Sequence, residues 1–334
     1  MTIQEIESAC DRSQTLDFTR HELEGPELSF RGTFYPKGFP AEVRTNSQEV
    51  LCLFKQAWGS LERRFTTDPI EITVLLTETQ SIECPPAPIY RIMRPLLISI
   101  ADIHNYSVVD LAHNRTSITI SRAALQYKPY LRFFFLDAAA GPHIATRHAT
   151  PVHAGCVALD GRGILICGDS GAGKSSLSYA CARAGWSYIA DDCSFLLNGS
   201  EDRTVMGDSR HVRLRPSAAE LFPEINGLKI TPRAAGKPSI EMDTATLPIV
   251  RSETAQVDYM VFLNRRSGGS PTLQPYRKDV ARYFMRQVLY GSGESLAVQY
   301  EAIERMLTAE ILELRYSDID WAVDRLERLL RGDI

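Results

Sequence analysis

Residues 168–192, GDSGAGKSSLSYACARAGWSYIADD, gather most of the chemistry-bearing residue types of this chain. The stretch opens on Gly168, Asp169, Ser170, Gly171, Ala172 and Gly173, continues with Lys174, Ser175 and Ser176, and closes on Asp191 and Asp192. The spacing G-x-x-x-x-G-K-S is that of a loop built to cradle phosphate. Glycines let backbone N–H groups wrap closely around an oxyanion, and the N-terminus of a following helix adds partial positive charge. A lysine at position 174 reaches β- and γ-phosphate oxygens, and the Ser175 hydroxyl can bind Mg²⁺. The cofactors expected from the loop are therefore ATP and Mg²⁺.

Local elements must bring the two ends of this stretch together. GILIC reads as an apolar strand entering the loop, and SSLSYACARA as a helix leaving it, ended by Gly185. A chance Gly/Ser turn is the competing reading, and the strand and helix on either side argue against it. A helix of about eleven residues travels ~16 Å away from the loop. The strand WSYIA then returns about as far at ~3.3 Å per residue. Asp191 and Asp192 thus come back to the carboxyl edge of the sheet, where open α/β sheets bind ligands. Two carboxylates there can divide the labour, one holding the metal and the other accepting the proton of an attacking hydroxyl. Adjacent residues at a strand end point to opposite sides, so this geometry leaves open which does which.

The bulk properties set outer bounds. The chain has 334 residues, enough for two domains, with 44% hydrophobic and 23% charged residues, as in ordinary globular proteins. The formal net charge of −4 gives no general attraction for polyanions, so no nucleic-acid partner is expected. The start, MTIQEIESACDRSQTLD, is polar and acidic, and no stretch approaches the ~18 apolar residues of a membrane helix, so a cytoplasmic protein without a membrane partner is expected. The seven cysteines are scattered, with no CxxC pair, which favours neither zinc nor a disulfide framework.

Along the chain, the first half reads as mixed α/β. LSFRGTFY, IEITVLLTE, YRIMRPLLISIAD and TSITISRA read as strands, and SQEVLCLFKQAW as a helix capped by Ser47. A helical pattern around YLRFFFLDAAAGPHIATRHATPVHAG gives way to Pro, His and Gly, which puts a domain boundary near residue 145: 1–145 and 146–334. In the second half GCVALD and GILICG flank a hairpin turn at Asp160-Gly161. VDYMVFLNRR reads as a strand, and RKDVARYFMRQVLYG as a helix stopping at Gly291. The tail YSDIDWAVDRLERLLRGDI reads as an amphipathic helix capped by Ser317, with Asp320 in capping-box position and an apolar face of Ile319, Val323, Leu326 and Leu330.

GDSGAGKSS and AGWSYIADD together resemble the HPr kinase/phosphorylase family and its wider set of kinase-like proteins. That family carries G-[DE]-S-G-x-G-K-S followed closely by G-[HW]-x-x-[VI]-x-D-D, and a histidine about fifteen residues before the loop, which PVHAGCVALDGRGILICG supplies as His153. The resemblance is strong over roughly residues 150–200 and weaker to about 330. It implies an α/β fold, with a P-loop kinase domain of HPr kinase type preceded by a mixed α/β N-terminal domain. It also implies Asp191 as general base, Asp192 as a carboxylate at the metal, and His153 as a residue that orients or tunes the pair, beside the bland reading of a hydrogen-bonded histidine at a domain joint. Homo-oligomeric rings occur in the family. The regulatory enzymes' downstream Gly-rich signature is absent, and HVRLRPSAAELFPEINGLKITPRAAGKPSIEMDTATLPIV stands in its place. The resemblance is therefore to the kinase-like set, not to the enzyme that acts on HPr.

The acceptor side is less marked. Arg213 and Arg215 share a strand face by period two, Lys237 lies in AGKPSIEMD, and Arg265 and Arg266 end a strand. Arg213 and Lys237 are the candidates for holding an anionic acceptor, and Glu241 for helping the metal. The leading function is an ATP- and Mg²⁺-dependent kinase acting on a hydroxyl, serine of a protein or ribosomal peptide, with the N-terminal half recognising it. A kinase for a small metabolite is the second reading, and a nucleotide-binding regulator without phosphoryl transfer the third. The aspartate pair argues against the third, because binding alone needs no base.

Overall fold

The computed structural model of the chain describes residues 3–12, 14, 27–231, 238–265, 268–289 and 293–334. It is a mixed α/β structure that divides into two compact units, one built on Met1–Ile144 and the other on Ala145–Ile230 and Ser239–Ile334.

In the first unit the strands β1 (Phe30–Phe34), β2 (Ala41–Thr45), β3 (Ile70–Thr77), β4 (Ile89–Met93), β5 (Leu96–Asp102), β6 (Asn105–Asp110) and β7 (Arg115–Ser121) form one sheet in the order β1-β2-β3-β7-β6-β5-β4. Alternation sets its faces: Ile70, Ile72, Val74 and Leu76 of β3 are all buried on one side. Helix α1 (Ile3–Asp11) brings Ile6 into a cluster with Leu96, Ile98 and Val108. Helix α2 (Gln48–Trp58) buries Val50, Leu53, Phe54 and Trp58, spaced three and four apart. The Ser47 side chain makes no cap hydrogen bond there. YRIMRPLLISIAD is not one strand but the hairpin of β4 and β5, turning at Arg94-Pro95. Further on, α3 (Lys128–Leu131) and a π-type turn at Arg132–Leu136 lead into α4 (Asp137–Arg147). The pair Gly141-Pro142, which reads as a helix end, lies inside α4. Proline costs one backbone hydrogen bond there, and the fully buried side of the helix, Ala139, Ala140, His143 and Ile144, holds it together.

The second unit contains β8 (Ala149–Val152), β9 (Ala154–Leu159), β10 (Arg162–Cys167), α5 (Lys174–Arg183), β11 (Ser187–Ala190), β12 (Ser194–Leu197), β13 (Thr204–Met206), β14 (His211–Leu214), β15 (Ile230–Thr231), β16 (Ser239–Asp243), β17 (Val250–Arg251), β18 (Thr254–Arg265), β19 (Thr272–Pro275), α6 (Lys278–Arg286), α7 (Glu294–Met306), β20 (Glu310–Tyr316) and α8 (Ile319–Arg331). Its main sheet runs β17-β11-β9-β10-β18-β13-β12-β8, with β20 added on β18 and β19 on β20. Strand β10 is parallel to β18 and β18 to β20, while β9 is antiparallel to both β10 and β11. Strands β10, β11, β18 and β20 therefore all end at one edge. Helices α5 and α8 cover one face, where Leu177, Cys181, Leu326 and Leu330 meet Ile164 and Ile166. Helices α6 and α7 cover the other, where Met285, Ile303 and Met306 meet Leu165 and Met260. Asp160 (φ 50°) and Gly161 (φ 83°) form the tight turn between β9 and β10, as their sequence requires.

Two helix readings are corrected. Helix α8 is capped by Asp318, whose side chain accepts from the Trp321 N–H, and not by Ser317. Helix α6 ends at Arg286, and Gly291 lies outside the described residues.

Candidate functional site

Strand β10 delivers the chain to the loop 168–173, and α5 takes it away at Lys174. Gly173 has φ 104°, a left-handed conformation, and a Cβ there would come within 3.0 Å of the Tyr316 hydroxyl. It caps α5 without a side chain. The N–H groups of the first helical turn have no intrahelical acceptor, so they and the helix dipole face outward together.

Lys174 is 4% exposed. Its ammonium donates to the carbonyls of Gly168 (2.7 Å) and Asp169 (3.2 Å) and meets His153 Nε2 at 2.9 Å. Burial lowers its pKa, against the opposing fields of Asp192, Asp169 and Asp191. His153 is lowered too, by burial first and by the Lys174 charge second, so it is neutral at pH 7. Its Nε2 then accepts from the ammonium, which puts its ring proton on Nδ1. That nitrogen lies 3.5 Å from Asp192 Oδ1. The loop lysine and Asp192 are thus linked through one imidazole.

Strand β11 ends at the same sheet edge as β10, and the two carboxylates that follow it diverge. Asp192 is half-exposed beside His153. Asp191 is 6% exposed, and its Oδ2 accepts the N–H of Arg213 on β14 at 2.9 Å. Ser175 and Ser176 sit half-buried in the first turn of α5, and Asp169 and Ser170 are exposed on the loop.

The basic residues sort differently from the sequence reading. Arg213 pairs through Nε with Glu241 at 2.8 Å, so neither its charge nor that of Glu241 stands open to a ligand. Lys237 and Arg266 lie outside the described residues. The guanidinium at the loop is Arg215's, whose Nη2 stands 3.6 Å from where a Gly171 Cβ would be. Period-two spacing missed this because β14 ends at Leu214, so Arg215 leaves the ladder and turns toward the loop. On the other side Arg265 ends β18, with its Cδ 3.9 Å from the Cβ position of Gly173. Both arginines are exposed, and among the described residues neither has an ion pair.

The groups present fit a nucleotide. Amides of the α5 N-terminus, a buried ammonium and the Arg215 guanidinium lie at the loop, with the Arg265 side chain beside Gly173, and the left-handed φ of Gly171 (94°) and Gly173 (104°) favours glycine at both positions. Among the described residues no three His, Cys, Asp or Glu cluster as a metal cage. Mg²⁺ needs none, since it is held by one or two protein oxygens plus phosphate and water. A cavity of about 740 Å³ lies elsewhere, where the C-terminal end of α5 faces α8, lined by Arg183, Phe222, Asp318, Asp324 and Glu327. It is at the opposite end of α5 from the loop and takes no part in the site. Among the described residues no helix is long and apolar enough to cross a membrane.

No family model and no curated protein matches the chain. Among solved structures it is similar to the HPr(Ser) kinase/phosphatase from Coxiella burnetii, at 14% identity over 55% of this chain and 99% of that one, with a TM-score of 0.29. That is a distant structural likeness, and the chemistry of the site rests on its own residues.

Proposed function

We propose that the chain is a phosphotransferase that binds ATP and Mg²⁺ on residues 168–176 and phosphorylates a hydroxyl, serine of a protein or ribosomal peptide. The observation that carries this reading is the contact chain from Lys174 through His153 to Asp192, with Asp191 beside it. Bound ATP with Mg²⁺ supplies the phosphoryl group and part of the charge neutralisation. Lys174 exchanges its carbonyl and imidazole partners for phosphate oxygens, and Ser175 and Asp192 hold the metal. Arg215 and Arg265 flank the loop and offset the charge of the moving group. Asp191 takes the proton of the attacking hydroxyl, its orientation fixed by the Arg213 amide. His153 holds Lys174 and Asp192 in place between turnovers.

The test is transfer of label from γ-labelled ATP to candidate peptides, with slow ATP hydrolysis as the readout in their absence. Asp191→Asn keeps the shape and cannot take the proton, so turnover falls about 10²- to 10⁴-fold while ATP still binds. Full activity in both Asp191→Asn and Asp192→Asn contradicts the catalytic reading. Binding without turnover in the wild type points to the nucleotide-binding regulator instead.

A further inference from the structure

The sheet of the first unit ends differently at its two edges. On β1 exposed residues alternate with covered ones, and α2 packs against it. Among the described residues strand β4, Ile89-Tyr90-Arg91-Ile92-Met93, pairs only with β5, and its first four residues are exposed. Ile89 is 66% exposed, Tyr90 51% and Ile92 67%. Alternation puts Ile89 and Arg91 on one face and Tyr90 and Ile92 on the other, so apolar surface stands open on both sides of the edge. Along that edge the row of backbone N–H and C=O groups pointing away from β5 has no strand to pair with among the described residues. Edge strands are ordinarily blunted by charge, proline, a bulge or a covering element, because an open apolar edge recruits another strand.

Charge narrows what that strand can be. Arg91 and Arg94 are exposed, and among the described residues neither has an ion pair or a hydrogen bond. We propose that the β4 edge docks an extended acidic segment of another polypeptide, added to the sheet as an eighth strand. Main-chain hydrogen bonds give the attachment, Ile89, Tyr90 and Ile92 seat alternate apolar side chains, and Arg91 and Arg94 select carboxylates between them. A second copy of this chain fits poorly. Pairing β4 with itself gathers Arg91 and Arg94 of both copies on one short ribbon, and like charges across a strand pair are destabilising. This surface belongs to the first unit and does not depend on the phosphate-transfer reading.

Fluorescence anisotropy on the full chain tests it, with a fluorescein-labelled nine-residue peptide alternating valine and glutamate as the probe and its valine–lysine counterpart as the control. The acidic peptide binds saturably and more weakly as salt is raised. The lysine peptide binds at least about tenfold more weakly, and the double variant Arg91→Glu, Arg94→Glu reverses that preference. Tyr90→Thr with Ile92→Thr keeps strand propensity and weakens binding by about the same factor. All four residues are exposed, and unchanged circular dichroism and melting confirm that each variant folds. Absent saturable binding, or binding indifferent to both pairs of substitutions, overturns the proposal. So does a dimer in sedimentation that Ile92→Thr dissociates, because the occupant is then a second copy.

Discussion

Replacing His153 by alanine takes one of three acceptors from a buried ammonium. Lys174 keeps the Gly168 and Asp169 carbonyls at 2.7 and 3.2 Å and loses the imidazole at 2.9 Å. A hydrogen bond to a charged group contributes about 1.5–3 kcal/mol, and the two remaining partners place the cost near the lower end, about 1.5 kcal/mol. For a unit of this size that lowers the melting temperature by about 3–6 °C. Lost packing alone would also lower it, so pH separates the causes. Burial and the Lys174 charge hold the folded His153 pKa below its ordinary value of 6.5. The neutral ring's contribution is therefore complete above pH 6.5 and is lost as pH falls through the folded pKa. Once protonated, the ring cannot accept from Lys174 and repels it. Calorimetric melts of wild type and His153→Ala at pH 7.5 and pH 5.5 should show a gap that narrows on acidification. ATP affinity in the variant stays level or rises, because the free protein then gives up one fewer contact when Lys174 turns to phosphate. No gap at pH 7.5, or the same gap at both pH values, would refute the lysine–imidazole bond and the neutral ring assigned to it.

Three further outcomes follow from the site and the core. Arg215→Ala, which removes the guanidinium beside Gly171, weakens ATP binding about tenfold in calorimetry, while Arg213→Lys leaves it within about twofold because Arg213's charge is already paired with Glu241. Asp192→Asn shifts the Mg²⁺ dependence of turnover to higher concentration, and an unchanged Mg²⁺ curve would remove Asp192 from the metal. A thiol reagent modifies exposed Cys52, Cys84 and Cys193 in the folded protein, but not Cys156, Cys167 or Cys181 until it is unfolded; burial pushes the Cys156 thiol up to about 12.

Much of the candidate site's geometry was legible because its residues are local in sequence. Gly173 with Lys174 fixes a loop and a helix start, and the lengths of α5 and β11 carry Asp191 and Asp192 back to the loop edge. The turn at Asp160-Gly161 and the buried face of α2 follow from turn chemistry and period. What stayed hidden depends on tertiary choice. Arg213 and Arg215 look equivalent until Glu241, across the ladder on β16, takes the first and the end of β14 frees the second. Asp318 and Ser317 are both good caps, and only the observed start of α8 selects the aspartate. Gly141-Pro142 signals an end that burial overrides, and α7 carries no strong cap, so its core residues Ala302, Ile303 and Met306 show only once the sheet face they cover is known.

Isothermal titration of ATP, with and without Mg²⁺, into wild type and Lys174→Ala decides whether residues 168–176 form a working phosphate site around Lys174. The expected result is binding that needs Mg²⁺ or is much tighter with it, and a loss of about 10- to 100-fold when the ammonium is removed. Equal ATP affinity in the two proteins would contradict it.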